Sequence, residues 1–240
     1  MTFISLRPQP AALVAATPCN DFTLNRVLHP MDDPQWPAAI TVTGLDKAAC
    51  WGRKFEGAKF QYAHIMKALM LEYPQGADRL NILLPGGYED PLRETLTRLG
   101  ANVLAVDPDV NRMNLRQYVA AHETTAKWYW QADLVIAASV LEHVRDDAEF
   151  LRDIVFCLKP GGLALLTVDF KEGWKRGDPL VTTQERMYTR DSLMALTDTI
   201  NREVAWLGER DWQSRGDYLP YEGLMFSFAS IAFRKKDGEA

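Results

Sequence analysis

The sequence alternates short apolar runs with longer segments in which apolar residues recur at helical spacing, and this alternation restricts the fold more than any other feature. The apolar runs cover residues 81–84, 102–106, 133–138 and 163–168. They are nearly continuous in apolar residues, whereas a strand with one face in water would alternate apolar and polar side chains. Strands buried on both faces and joined through helices predict a parallel sheet with helices on both of its faces.

The helices predicted around these strands complete an α/β, doubly wound fold. Helical spacing of apolar residues covers residues 57–72, 89–99, 111–121, 146–158 and 189–200. Pro74 and Gly100 follow the first two of these segments, as expected where a helix must end. Two more strands are predicted over residues 203–207 and 224–234, and we expect the last strand of the mostly parallel sheet to be antiparallel. Residues 122–132 fit either a short strand or a loop.

Residues 1–50 differ from the rest of the chain, because they contain six prolines and no long periodic segment. Such a composition is typical of extended, irregular backbone. We interpret this segment as an extended N-terminal arm or lid beside a main domain of residues 51–240. A chain of 240 residues is long enough for one well-buried core of this kind.

Composition and charge argue against several classes of protein. The formal net charge is −5 and the only basic clusters are residues 175–176 and 234–236, so nucleic-acid binding through phosphates is not predicted. No apolar run approaches the roughly 20 residues that span a bilayer, and residues 11–16 are too short for a signal peptide, so we expect a cytoplasmic protein. The three cysteines lie far apart without Cys/His ligand spacing, which predicts neither disulfides nor a metal site.

Two features at the ends of predicted strands indicate a nucleoside site. The first strand is followed by Pro85, Gly86, Gly87 and Tyr88, where the glycines let backbone approach a ligand closely. Asp107 ends the next strand, 21 residues after Gly86, and an acid at this spacing can accept hydrogen bonds from both hydroxyls of a ribose. Each feature alone is commonly structural, but together they favour a nucleoside.

Residues 133–144, which read DLVIAASVLEHV, resemble the fourth-strand motif of class I S-adenosylmethionine-dependent methyltransferases. Residues 150–154 and 158–163 resemble the following helix and fifth-strand entry of that family, and residues 103–109 resemble its second-strand motif, whose acid binds the cofactor ribose. The resemblance is type 11-like, covers roughly residues 55–235, and implies a Rossmann-like fold with S-adenosylmethionine as cofactor. The cofactor-binding residues expected from it and from the glycine loop are Pro85, Gly86, Gly87, Tyr88, Asp107, Pro108, Ser139, Val140 and Leu141.

The glycine loop departs from the family pattern at two positions. Leu84 stands where the family has an acid that helps hold the amino group of the cofactor, and Tyr88 stands where it has the last glycine. Glu89 or Asp90 could supply the missing charge. The first hypothesis is a methyltransferase acting on a small molecule or a glycan, and the alternative is a non-catalytic interaction module that keeps the fold. The incomplete glycine loop disfavours a third hypothesis, a nicotinamide-dependent oxidoreductase.

His143 and Glu142 are the candidate catalytic residues. A histidine titrates near neutral pH and can act as a base when the methyl acceptor must lose a proton. The same histidine can instead cap a helix or pack the loop, and Glu142 can merely orient that loop. Residues 173–188 form a long insert with aromatic and cationic side chains, which either selects a sugar or an anionic small molecule or is a solvated loop. The sequence does not indicate whether the chain is a monomer or an oligomer.

Overall fold

The computed structural model describes residues 23–123 and 131–237. Its strands are β1 (Val27–Leu28), β2 (Asn81–Pro85), β3 (Asn102–Val106), β4 (Ala132–Ala138), β5 (Leu158–Phe170), β6 (Val204–Trp206), β7 (Leu219–Tyr221) and β8 (Leu224–Lys235). Its α-helices are α1 (Trp36–Thr43), α2 (Glu56–Glu72), α3 (Pro91–Arg98), α4 (Pro108–Asn111), α5 (Leu115–Glu123), α6 (Asp147–Cys157) and α7 (Arg190–Asp198). Short 3-10 helices cover Pro30–Asp32, Leu45–Lys47, Trp51–Arg53 and Leu141–His143.

The strands form a mixed sheet in the order β1-β8-β5-β4-β2-β3, and β6 and β7 also pair with β8. Strands β3, β2, β4 and β5 are parallel to one another. Strand β8 runs antiparallel to β5 over eight residue pairs from Leu163↔Arg234 to Phe170↔Ser227. The predicted fold class, a doubly wound and mostly parallel sheet with an antiparallel last strand, is therefore confirmed.

Successive residues of each central strand face opposite sides of the sheet. Ile82 and Leu84 of β2 belong to the buried cluster that includes α1, α2 and α3, whereas Leu83 belongs to the cluster that includes α5, α6 and α7. All three side chains are fully buried. Helices thus cover both faces, and this explains why the strand sequences are almost continuously apolar.

The extended conformation predicted for the N-terminal segment is wrong over residues 23–50. Strand β1 pairs with β8, and the buried side chain of Asn25 accepts from the Ala232 N–H at 2.7 Å. Helix α1 carries Pro37 in its first turn, where the missing N–H of proline costs no hydrogen bond, and ends at Gly44 with φ +70°. The prolines therefore mark helix starts here. Residues 1–22 lie outside the described part of the chain.

The helix predicted over residues 111–121 is divided in two. Helix α4 begins at Pro108 under a cap from Asp107 and ends at Arg112, whose φ is +57°. Helix α5 then starts behind a reciprocal cap, in which the Gln117 N–H donates to the Asn114 side chain and the Asn114 N–H donates to the Gln117 side chain, both at 2.9 Å. Most of the ambiguous segment 122–132 lies outside the described residues.

The order in which the chain adds strands to the sheet reverses at β2. Strand β3 lies on one side of β2, and the next strand along the chain, β4, lies on the other. Loops from β2 and β4 then diverge to opposite faces and leave a crevice beyond their carboxyl ends, which is where open α/β sheets bind ligands. The loops that begin at Gly86 and Ser139 lie at this crevice.

Candidate active site

The glycine loop fits closely against its neighbours because it lacks side chains. Gly86 has φ +69°, and a Cβ atom there would lie 2.5 Å from Cγ2 of Val140. A Cβ atom on Gly87 would lie 2.8 Å from the Cβ of Ala105. The Gly86 N–H donates to the carbonyl of Val106 at 2.9 Å, which ties the loop to β3. Backbone, and not side chain, therefore forms this wall of the crevice.

Asp107 faces the glycine loop. Its side chain is 7% exposed, and its two carboxylate oxygens accept from the Tyr88 N–H at 3.2 Å and from the Asp109 N–H at 2.7 Å. Each oxygen keeps acceptor capacity for a ligand, since a carboxylate oxygen offers two lone pairs. The structure thus brings the glycine loop and Asp107 into contact, and their separation of 21 residues in the sequence is the one from which a ribose site is predicted.

A cavity of about 1120 Å³ opens between these two features. Its walls include the apolar residues Leu115, Val140 and Phe150, together with predicted site residues. The predicted residues on its walls are Pro85, Gly86, Tyr88, Asp107, Pro108, Ser139, Val140 and His143. Backbone at Gly86, a buried acid and apolar walls are what a nucleoside requires, so these residues fit the adenosine part of S-adenosylmethionine.

Three of the predicted cofactor-binding residues, Tyr88, Gly87 and Leu141, differ in how they lie relative to this cavity. Tyr88 is 53% exposed, so its phenol does not plug the space beside Asp107. The side chain of Leu141 is 1% exposed and packs in the core, and neither Leu141 nor Gly87 lines the large cavity. The geometry therefore gives no support to cofactor contacts from Leu141 or Gly87.

A second cavity, of about 360 Å³, adjoins the first and shares with it Gly86, Tyr88, Ser139 and His143. Its aromatic walls include Phe55 and Tyr221, whose rings stack with centroids 4.6 Å apart. Its polar walls contain side chains that the sequence did not single out. They are Gln61, Asp169 and Gln184.

Two acids, Glu142 and Asp169, are buried in the wall of the smaller cavity, with exposed fractions of 0% and 5%. Burial raises the pKa of Glu142 to about 7, and nearby polar groups such as Ser139 offset that rise only in part. Burial, and then the neighbouring Glu142, raise the pKa of Asp169 well above its usual range. Asp169 accepts a hydrogen bond from Gln184 Nε2, and Ser139 Oγ lies 3.4 Å from its Oδ1.

His143 lies on the walls of both cavities and is exposed. Its Nδ1 is 3.0 Å from the carbonyl oxygen of Thr183. Because a carbonyl oxygen only accepts, this hydrogen bond places the imidazole proton on Nδ1 and leaves Nε2 as an acceptor. A histidine held in this way can take a proton at Nε2.

The loop after β5 fastens the Ser139–Val144 region in place. Arg186 donates to the carbonyls of Val144 and Arg145, both at 2.9 Å, and its guanidinium lies 3.1 Å from the carboxylate of Asp147. The Glu185 N–H donates to the carbonyl of Glu142 at 2.8 Å. The insert of residues 173–188 is predicted either to select substrate or to be a solvated loop, and within it Arg186 instead donates to backbone.

Other parts of the same loop line the smaller cavity. They are Val181, Thr182, Thr183 and Gln184, whereas Trp174, Lys175, Arg176 and Asp178 are not on its walls. Thr182 is itself fixed, because its N–H and hydroxyl both donate to Glu222 at 2.8 Å.

The two acids considered as replacements for the missing charge at Leu84 have different surroundings. Glu89 forms an exposed ion pair with Arg53 at 2.9 Å. Asp90 caps α3, accepting from the Leu92 N–H at 2.7 Å, and lines the smaller cavity. Burial raises the pKa of Asp90 to about 6. Of the two, only Asp90 faces the cavity.

Asp169 was missed although a usable signal was present. It directly follows the strand predicted over residues 163–168, as Asp107 directly follows the strand predicted over residues 102–106. Gln61 offered a weaker signal, as one polar residue inside the apolar stretch of α2. Within residues 23–123 and 131–237, no group of three or more His, Cys, Asp and Glu side chains is placed to hold a metal ion. No helix in those ranges is both long and apolar enough to cross a membrane.

The fold and crevice together define a doubly wound protein with a nucleoside site beside a second, smaller pocket. A family model described as a methyltransferase domain matches residues 58–219, about two thirds of the chain. The chain therefore belongs to the class I S-adenosylmethionine-dependent methyltransferase family, as its motifs indicated, and S-adenosylmethionine is the cofactor of that family.

Individual relatives agree with this assignment. The chain is 31% identical over 147 residues to a ubiquinone biosynthesis O-methyltransferase from a Bradyrhizobium species, covering 57% of this chain and 52% of that protein. It thus spans about half the length of that curated relative. Its fold is similar to 1,6-didemethyltoxoflavin-N1-methyltransferase from Burkholderia thailandensis, solved with 1,6-didemethyltoxoflavin and S-adenosylhomocysteine, at 14% identity and a TM-score of 0.50 over 88% of this chain and 92% of that one.

Proposed function

We propose that this chain is an S-adenosylmethionine-dependent methyltransferase acting on a small molecule. The observation that carries the proposal is the convergence of the Gly86 backbone and the buried Asp107 carboxylate on one cavity, with a second cavity directly beside it. The family assignment and the relative named as an O-methyltransferase support it. A pocket of about 360 Å³ is of the size that holds a small ligand, which favours a small molecule over a glycan chain.

Different residues of the large cavity would contact different parts of the cofactor. Asp107 would accept from the ribose hydroxyls, Leu115, Val140 and Phe150 would contact the adenine, and the Gly86 backbone would lie against the chain that leads to sulfur. When bound, S-adenosylmethionine supplies a methyl group on a positively charged sulfur, and the carbon–sulfur bonding electrons remain on sulfur at transfer.

The smaller cavity would hold the acceptor. Its walls would orient that molecule toward the residues that both cavities share, beyond which the cofactor would lie. Holding two reactants in line supplies much of the rate of a displacement of this kind. His143 and Glu142 are the proposed catalytic residues, because both line the smaller cavity and can hold or move a proton. The Nδ1–H of His143 is already bonded to Thr183, so its Nε2 is the site that can receive one.

Ligand-dependent melting tests this proposal. A ligand that binds only the folded protein stabilises it by mass action, by about 2.7 kcal/mol at one hundred times its Kd. We expect S-adenosylhomocysteine to raise the melting temperature and NAD to leave it unchanged. No shift with millimolar S-adenosylhomocysteine would leave the non-catalytic interaction module as the better hypothesis, and a shift with NAD alone would favour an oxidoreductase.

A further inference from the structure

Several polar atoms in the wall of the smaller cavity are buried without a partner. Both carboxylate oxygens of Glu142 and the Oε1 of Gln184 have no hydrogen-bond donor in proper geometry among the described residues. Glu142 is fully buried and lies on the cavity wall. An unpaired buried polar atom destabilises the fold. A ligand hydroxyl can satisfy such a wall, because it donates to an ionised carboxyl and accepts from a protonated one.

Glu142 is not isolated, because Asp169 lies beside it. Two neighbouring buried carboxyl groups do not both ionise, since the second charge is repelled by the first and neither is solvated. The raised pKa of each group agrees with this geometry. The pair therefore keeps a proton near neutral pH, and it carries one negative charge when one of the two carboxyl groups ionises.

Among the described residues, no cationic side chain donates a hydrogen bond to either carboxyl group, although Arg53 and Lys54 also line this cavity. Asp169 receives hydrogen bonds only from neutral groups, Gln184 and, at 3.4 Å, Ser139. The titratable groups that face the pair are His143 from its own short helix, Tyr188 from the loop after β5, and Tyr218 before β7. Burial raises the pKa of Tyr218 well above its usual range, so it stays neutral. A negative charge on the pair disfavours an anionic group directly beside it and attracts a hydroxyl.

We propose that Glu142 and Asp169 share one proton and together bind the hydroxyl group of the methyl acceptor, taking its proton as the oxygen is methylated. This inference rests on the proposed methyltransferase function. The acceptor O–H bond breaks with its electrons staying on oxygen, an oxygen lone pair forms the bond to the methyl carbon, and the proton joins the ionised carboxyl. The pair is then neutral and returns a proton to water.

The rest of the cavity wall specifies the body that carries this hydroxyl. Phe55 and Tyr221 stack at one side, and Phe226 and Phe228 contribute further aromatic surface. Aromatic walls favour a flat apolar ring. A hydroxyl group gives up its proton as its oxygen is methylated, and the ionised carboxyl can take that proton. The proposed acceptor is therefore an aromatic hydroxyl compound.

Infrared difference spectroscopy tests the shared proton directly. At about pH 6.5, exposed carboxyl groups are ionised, whereas the pair keeps a carboxylic acid. We expect the carboxylic-acid band of the full chain to change in both Glu142→Gln and Asp169→Asn, because each variant removes one of the two carboxyl groups that share the proton. Glu209→Gln, which removes an exposed acid that does not line the cavity, is the matched control and should leave the band unchanged. Circular dichroism verifies that each variant is folded.

Matched ligands test the hydroxyl site without requiring turnover. The probes are 2-naphthol and its methyl ether, 2-methoxynaphthalene, titrated into the chain saturated with S-adenosylhomocysteine. A hydrogen bond to a charged acceptor predicts about tenfold tighter binding of 2-naphthol, and Glu142→Gln should abolish this preference.

The outcomes separate this inference from the proposed function. If S-adenosylhomocysteine binds but the acid band is absent, or if wild-type chain shows no preference for 2-naphthol, the carboxyl pair is not the hydroxyl site and the methyltransferase proposal stands. If S-adenosylhomocysteine fails to bind at all, the proposed function fails, and this inference fails with it.

Discussion

At the glycine loop, backbone conformation and packing both require a residue without a Cβ atom. Gly86 has a left-handed backbone, which costs other residues roughly 1–2 kcal/mol, and its missing Cβ atom would collide with Val140 at 2.5 Å. The collision matters for function because Val140 belongs to the wall of the proposed adenosine site. Any side chain at position 86 would push the two walls of that site apart.

Gly86→Ala should therefore lower the free energy of unfolding by about 2–4 kcal/mol, the sum of the conformational cost and of overpacking. Gly161→Ala is the matched control, because Gly161 has φ +72° and a Cβ atom there would have no neighbour within 4 Å. Urea unfolding of both variants measures the difference. Val140→Ala in the Gly86→Ala background should recover part of the loss. Equal stability of the two single variants would contradict the close packing at Gly86.

At the scale of residues, spacing predicted the glycine loop and Asp107 but could not predict which way side chains point. Tyr88 stands in a glycine position, yet its side chain is half-exposed and leaves the crevice open. Leu141 belongs to the matching motif, yet it packs in the core. The position of Asp169 at a strand end was visible in the sequence, but its proximity to Glu142, 27 residues away in the chain, was not, because only the sheet brings the two together.

Among the elements, the loop after β5 supports the site, because Arg186 donates to two carbonyls in the segment that precedes α6. Val144, Arg145 and Asp146 of that segment line the large cavity. The same loop lines the smaller cavity through Val181 and Gln184, so it contacts the surroundings of both cavities.

Arg186→Ala should destabilise the chain by about 1–3 kcal/mol, because two carbonyls, one of them partly buried, lose a charged donor, and it should weaken binding of S-adenosylhomocysteine. Arg186→Lys should recover only part of both effects, since one ammonium does not reproduce the fork of the guanidinium. Arg176→Ala, in the same loop and exposed, is the control. Chemical denaturation and calorimetry measure the two effects. Unchanged affinity in Arg186→Ala would show that the loop does not support the cofactor cavity.

Elements with long apolar periods were predicted well, and those that depend on local caps were not. Strand β3 has the predicted bounds and α2 differs by one residue, since burial on a sheet face or a helix face leaves a clear period in the sequence. Helix α1 was missed because its prolines were interpreted as breakers although Pro37 lies in the first turn. Strand β1 has two residues, too few to show a period.

For the molecule as a whole, the buried carboxyl pair makes stability depend on pH. The folded-state pKa of Glu142 is raised to about 7 from an ordinary value of 4.5. The folded chain therefore holds a proton that the unfolded chain releases between those two values. Stability from this group is present below about pH 4.5 and is lost as pH rises through 7.

Glu142→Gln should remove this loss. Relative to wild type, the variant should gain up to about 3 kcal/mol between pH 4.5 and pH 8, at 1.36 kcal/mol for each unit of pKa. Unfolding in urea at both pH values measures the gain, and Glu209→Gln should show none. A variant with the same pH dependence as wild type would mean that Glu142 is not held in its neutral form by the fold.

The central claim is that the backbone at Gly86 and the carboxylate of Asp107 form one adenosine site at the reversal of strand order. The most direct test is the affinity for S-adenosylhomocysteine, measured by calorimetric titration of wild type, Asp107→Asn and the exposed control Asp46→Asn. We predict saturable binding by wild type and by Asp46→Asn, and a loss of about tenfold or more in Asp107→Asn, because hydrogen bonds to a charged acceptor weaken. Absence of binding by wild type, or equal affinity of wild type and Asp107→Asn, would contradict the claim.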